Sequence, residues 1–126
     1  MRDFRKYRVW QEAVTLANMI YELTDSFPKQ EMYALSNQIQ RAAVSIASNI
    51  AEGASRTSPA EFAHFLEVAI GSAFEVETQL MIGLQRKYLS NEQYTEIVSL
   101  LQTEEKLLNT FIQRLKEKSQ QPTANG

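Results

Sequence analysis

Gln38-Ile39-Gln40-Arg41-Ala42-Ala43-Val44-Ser45-Ile46-Ala47-Ser48-Asn49-Ile50-Ala51-Glu52-Gly53 is the stretch whose reading decides the fold. Ile39, Ala43, Ile46 and Ile50 recur at steps of four and three, continuing a seam begun by Met32 and Leu35. That is the period of a helix with one buried stripe. Between Arg41 and Ala54 most other side chains are short: Ala42, Ser45, Ala47, Ser48 and Ala51. Short side chains let helix backbones approach closely. Opposite the seam lie Gln38, Arg41, Ser45, Ser48 and Glu52, with Asn49 beside them. An ordinary solvated face would carry more Lys and Glu. The stripe is therefore expected to be a second packing surface, against another subunit, rather than a serine-rich solvent face. Arg41 and Glu52 would be its pairing groups, because a buried charge needs a partner.

Working outward, the same period recurs three times. Upstream, Val9, Ala13, Leu16, Ile20, Leu23 and Phe27 form a seam with heptad spacing. Pro28 is placed as the first residue of the second helix, and Gly53 as its C′ glycine. Downstream, Ser58-Pro59-Ala60-Glu61 reads as a capping box. It opens a third helix with Phe62, Leu66, Ala69, Ala73, Val76, Leu80 and Leu84 as seam. Ser90-Asn91-Glu92-Gln93 is a second box, opening a fourth seam of Tyr94, Ile97, Leu101, Leu108, Phe111 and Leu115. Glu104 falls where an apolar residue is due, which marks a wet or subunit-facing position; Glu105 reads as charged surface.

The spacing predicts helices over about 8–26, 28–53, 59–87 and 91–117, one domain over 1–117, and a disordered tail over 118–126. Links at 26–28, 54–58 and 88–91 are short enough to force antiparallel neighbours. The fold class is all-α: an up-down-up-down antiparallel four-helix bundle. Gly71, inside the third helix, costs about 0.5–1 kcal/mol relative to alanine. A close crossing on the face that carries Glu61, His64, Val68, Gly71 and Glu75 would give a reason for it. Ser45, Ser48, Asn49, Glu52, Arg41, Gly71 and Glu75 are thus the candidate subunit interface.

Composition bounds the function. The chain has 126 residues, no cysteine and one histidine. Disulfides, thiolate metal sites, thiol catalysis and a multi-histidine centre within one chain are excluded. Glu61 and His64 have the Glu-x-x-His spacing of di-iron bundles, but those need two such motifs and further glutamates. There is no Gly-rich phosphate loop and no nucleophile elbow, and Glu75 and Glu77 point to different helical faces. No enzyme activity, catalytic residue, metal or cofactor is expected. With no leader-like segment and no apolar run near 18 residues, a cytoplasmic protein with no membrane association is expected.

The net charge is −2 and the sequence pI about 5.5, which argues against a generally basic nucleic-acid binder. The charge is unevenly spread, however. In an up-down-up-down bundle residues 1–12, 52–61 and 113–126 share one pole. They carry eight cations against five acids, and the remainder carries five against ten. A basic pole of this kind attracts an anionic partner such as RNA. Arg2, Arg5, Lys6, Arg8, Arg56 and Arg114 are its candidate nucleic-acid-binding residues. Cations at the last turn of the fourth helix also offset the helix dipole, which leaves the four near the N-terminus unexplained.

Several runs carry a family resemblance: Val9-Trp10-Gln11 with Ala13; Phe27-Pro28 with Glu31, Tyr33 and Leu35; the Gln38–Gly53 run; and Glu61-Phe62, Phe65-Leu66, Ala69 and Gly71-Ser72. Over residues 4–115 the chain resembles the four-helix-bundle proteins encoded in intervening sequences of bacterial 23S ribosomal RNA genes, the S23 ribosomal protein family. The resemblance implies an antiparallel bundle that assembles as a homopentamer with a central channel and has no catalytic residues. It extends to the accessory variability proteins of diversity-generating retroelements, which bind nucleic acid and a reverse transcriptase through a strongly basic surface. The acidic pI here departs from that pattern. The expected function is a non-enzymatic oligomeric bundle binding RNA or a ribonucleoprotein through its basic pole. The alternative is a protein–protein adaptor with no nucleic-acid role.

Overall fold

The computed structural model describes residues 2–120. Four helices carry the chain: α1 over Arg8–Thr24, α2 over Leu35–Ala54, α3 over Pro59–Gln85 and α4 over Asn91–Gln120. Two short 3-10 turns, Phe4–Lys6 and Lys29–Glu31, precede α1 and α2. Each helix packs on its sequence neighbours, and α1 closes the bundle against α4, with no diagonal contacts among the described elements. That is the all-α, up-down-up-down arrangement the short links imply. No helix among the described residues is long and apolar enough to cross a membrane.

The core follows the seams. Val9, Ala13, Leu16, Ile20, Leu23 and Phe27 are all buried, as are Ile39, Ala43, Ile46 and Ile50 of α2 and Phe62, Leu66, Ala69, Ala73, Val76 and Leu80 of α3. From α4 come Ile97, Leu101, Leu108 and Leu115, joined by Val98 and Ile112. Both capping serines work. The Ser58 hydroxyl accepts from the Glu61 amide at 3.1 Å. At α4 the box is complete: Ser90 Oγ accepts from the Gln93 amide at 3.1 Å, and Gln93 Oε1 accepts from the Ser90 amide at 2.9 Å.

Boundaries differ from the sequence expectation: α1 stops at Thr24, two residues short of 26, and three further ends depart for identifiable reasons. Pro28 is not the first residue of α2: its ψ of 141° is extended, and the helix begins seven residues later, at Leu35. Phe27 is buried and pinned against Tyr88, with ring centroids 5.5 Å apart. The chain leaves Phe27 extended and passes through the Lys29–Glu31 turn before α2, and Met32 is exposed instead of lying on the seam. Glu31 then caps α2, its carboxylate accepting from the Leu35 amide at 3.2 Å. At the far end of α3, Lys87 takes a left-handed conformation (φ 65°). The Tyr88 amide donates to the Gly83 carbonyl and the Lys87 amide to Leu84, both at 2.9 Å, a Schellman closure without glycine. Finally, α4 runs through Gln120, because nothing in 118–120 breaks it; residues 121–126 of the expected tail lie outside the described residues.

Gly53 is a second correction of cause. It lies inside α2, not beyond it, and no positive φ requires a glycine there. A Cβ at this position would sit 2.7 Å from Phe65 Cβ and 2.9 Å from the Phe62 ring. The glycine is needed because α2 and α3 cross closely. This pairing is the most extensive in the bundle, and the run of small residues is partly spent on it.

Glu104 is neither wet nor open to a neighbouring subunit. Its exposure is 0%, and neither carboxylate oxygen has a hydrogen-bond partner. Burial first, then repulsion from Glu12, pushes its carboxyl up to about 8, with Arg8 opposing. Arg8 and Glu12 belong to α1, whose pairing with α4 is the loosest of the four.

Candidate functional site

The basic pole is built where the N-terminal turn, the α2–α3 turn and the end of α4 converge. Asp3 caps the first turn, its carboxylate accepting from the Arg5 amide at 3.2 Å. That turn sets Phe4 against Trp10, edge to face at 5.2 Å, and leads Tyr7 inward to meet Phe62 at 6.0 Å and Phe111 at 5.2 Å. Phe62 and Phe111 also meet edge to face, at 5.1 Å. Three helices and the N-terminal segment are thus held together by aromatic contacts.

Three of the cations lie over aromatic rings. The Arg2 guanidinium stacks 5.0 Å from the Phe62 ring and donates to the Arg56 carbonyl, tying the N-terminus to the α2–α3 turn. Arg56 stacks on Phe65 at 4.7 Å, and Arg5 on Phe4 at 4.6 Å. Arg2 and Arg56 border a hollow of about 580 Å³ with Ser55 and Thr57. Arg8 and Arg114 border a second, of about 250 Å³, floored by Tyr7, Leu107 and Phe111. All six predicted cations therefore lie at one end of the bundle.

They are not equally free. Arg5 pairs with Asp3 at 3.3 Å, Arg8 with Glu12 at 2.7 Å and Arg56 with Glu52 at 3.1 Å. These pairs are solvent-exposed and each is worth under about 1 kcal/mol, so a phosphate can displace the carboxylate. Lys6 and Arg114 are exposed and make no ion pair among the described residues. Lys116 is committed elsewhere, to Glu67 of α3 at 2.8 Å.

The expected interface residues divide. Arg41, Ser48, Glu52, Gly71 and Glu75 are exposed, and a Cβ on Gly71 would meet nothing within 4 Å. Ser45 and Asn49 are half-buried and already engaged within the chain. Ser45 Oγ accepts from Ser72 Oγ of α3 and from Asn49 Nδ2, both at 2.9 Å. Glu52 is paired with Arg56 rather than left for Arg41. His64 is exposed beside Phe65, and no group of three His, Asp or Glu side chains suited to a metal occurs among the described residues.

The aromatic base under the arginines was missed at the sequence level. Its signal was present in Phe4, Tyr7 and Trp10, set three apart among Arg2, Arg5, Lys6 and Arg8. Aromatics interleaved with cations at the start of a chain can be read as stacking partners as well as core.

Comparison with known proteins gives a consistent answer. A family model described as 23S rRNA-intervening sequence protein matches residues 5–110. Among solved structures, the chain is similar to a protein with unknown function from the S23 ribosomal protein family of Bacteroides thetaiotaomicron. The two share 30% identity over 82% of this chain and 97% of that one, with a TM-score of 0.75. No match is found among curated proteins. A model spanning most of the chain, over a bundle of the same shape, decides the affiliation: the chain belongs to the 23S rRNA-intervening sequence protein family.

Proposed function

We propose that this protein acts without chemistry of its own, as a homo-oligomer, expected to be a pentamer, that holds RNA or a ribonucleoprotein at its basic pole. The reading is carried by the gathering of Arg2, Arg5, Lys6, Arg8, Arg56 and Arg114 at one end of the bundle, where Arg2, Arg5 and Arg56 each lie over an aromatic ring and Arg8 and Arg114 border a hollow with Tyr7 and Phe111. Phosphates supply the electrostatic part of RNA binding. Unpaired bases stack on aromatic rings and on guanidinium planes. Arginines placed over Phe4, Phe62 and Phe65 bring guanidinium groups for phosphates and for stacking bases to one end. In a ring of parallel subunits the poles add, so a modest excess of cations per chain becomes a positive rim. The remaining surface is acidic and keeps RNA to that one end.

The test is fluorescence anisotropy with a labelled, partly single-stranded RNA at low salt. Replacing Lys6 and Arg114 by glutamine removes two exposed cations of the pole that make no ion pair among the described residues. The expected result is binding weakened at least about tenfold with the assembled mass unchanged. Equal binding by the variant, or no binding by the unaltered protein, rejects the RNA reading. The adaptor reading draws on the net charge of −2. It would be favoured if capture from nuclease-treated extract recovered a stoichiometric protein partner.

A further inference from the structure

Two outward faces remain unused by the pole. Along α3, Val68, Phe74 and Ile82 are 41%, 55% and 46% exposed. Phe74 stands between two hollows on the α3–α4 boundary. One, of about 570 Å³, lies between Ile70, Phe74 and Glu105; the other, of about 350 Å³, lies between Phe74, Glu77 and Met81. Apolar surface left open costs about 25 cal/mol per Å², and a patch of this kind marks an interaction surface. Glu77 and Glu105 meet in the same groove. Glu105 Oε2 is buried with no hydrogen-bond partner. Burial, then hydrogen bonding to and repulsion from Glu77, raises its carboxyl to about 7. No cation among the described residues pairs with either carboxylate. Lys106 also lines the first hollow but makes no ion pair with either carboxylate among the described residues, so the groove has an exposed ring, room beside it and two carboxylates that no cation pairs with.

The outward stripe of α2 offers the complement. Arg41 is exposed and makes no ion pair among the described residues. It stands beside Val44, which is 41% exposed, and Ser48, one turn further on. Both neighbours are short, so a long cation rises from a low, partly apolar surface. Within one chain Arg41 pairs with neither Glu77 nor Glu105.

We propose that the two faces satisfy each other between copies: Arg41 and Val44 of one subunit seat beside Phe74 in the α3–α4 groove of the next, the guanidinium facing Glu77 and Glu105. The inference rests on the oligomeric part of the function proposed above and specifies its contact. That contact joins two different patches, so it is heterologous, and every subunit uses both. Contacts of this type generate closed rings when the rotation permits.

Light scattering on three samples tests the pairing. The unaltered protein should give a multiple of 14.4 kDa. Arg41→Glu and Phe74→Glu, both at exposed positions, should each fall to a helical monomer by circular dichroism. An equimolar mixture of the two should form a heterodimer, because one intact groove and one intact Arg41 face remain. Glu105→Gln is the gentler probe, expected to raise the subunit dissociation constant about tenfold by removing the charge that Arg41 meets. Retention of the native mass by Arg41→Glu or Phe74→Glu overturns the pairing while leaving the oligomer intact. Two monomeric variants that do not complement also overturn it, because the contact would then be isologous. An unaltered protein that is monomeric at micromolar concentration removes the oligomer and the pairing together.

Discussion

Glu104→Leu should make this protein more stable, and increasingly so as the pH rises. The side chain is fully enclosed, with both oxygens unpartnered, and leucine is similar in volume. The carboxyl is raised from its ordinary 4.5 to about 8 in the folded state. The sign follows from proton binding. Between those values the native protein keeps a proton that the unfolded chain has released, so stability is greatest below 4.5 and falls as the pH climbs toward 8. At 1.36 kcal/mol per unit, the interval of roughly 3.5 units corresponds to about 5 kcal/mol, and about 3.4 kcal/mol is already lost at pH 7. Relaxation around the charge reduces this, so about 2–4 kcal/mol near pH 7.5 is the expected pH-dependent part of the gain for leucine. Below pH 5 the gain should shrink to the cost of an unpartnered neutral acid, about 1–3 kcal/mol. Urea unfolding of both proteins from pH 5 to 9, at one protein concentration because oligomers unfold by mass action, measures the difference directly. Glu105 titrates in both proteins and cancels. A difference that stays constant over that range would mean that Glu104 reaches solvent or a partner, and would refute the reasoning.

Other expectations follow from single contacts. Gly53→Ala should destabilise by about 1–3 kcal/mol, because its Cβ meets Phe65 Cβ and the Phe62 ring, whereas Gly71→Ala, in open space, should gain about 0.5–1 kcal/mol per chain; thermal melts of the two separate a crossing glycine from a tolerated one. Ser90→Ala removes the hydroxyl half of the α4 capping box and should cost about 1 kcal/mol, read as a lower urea midpoint at unchanged slope. Carboxyl NMR of Glu105 should show a midpoint near 7 that moves down in Glu77→Gln, since a repelling charge is lost; an unmoved midpoint would place the cause elsewhere.

Much of the bundle was legible in the sequence because helical period and burial are the same fact seen twice. Every residue of the Val9–Phe27 seam is buried, and both capping serines act as read. What was not legible depends on other segments. Pro28 has the right chemistry for a first helical turn, but Phe27 is held by Tyr88 of the α3–α4 link, and α2 begins only at Leu35. Gly53 resembles a helix stop, and only the positions of Phe62 and Phe65 show that it is a crossing point. Lys87 closes α3 in a conformation usually given to glycine. Glu104 on a seam reads as a wet position, and only the closed core around it shows otherwise. The cationic pole was visible from charge and topology. Its aromatic base was legible only in part, through Phe4, Tyr7 and Trp10, because Tyr7, Phe62 and Phe111 come together only through tertiary contacts.

The claim that the pole holds RNA is tested most directly by the salt dependence of binding. Each phosphate neutralised contributes about −0.7 to −0.9 to the slope of log affinity against log salt. For the unaltered protein a slope of several units is predicted, becoming shallower by about 1.5 in Lys6→Gln/Arg114→Gln at constant assembled mass. Two parallel lines, or affinity indifferent to salt, would contradict it.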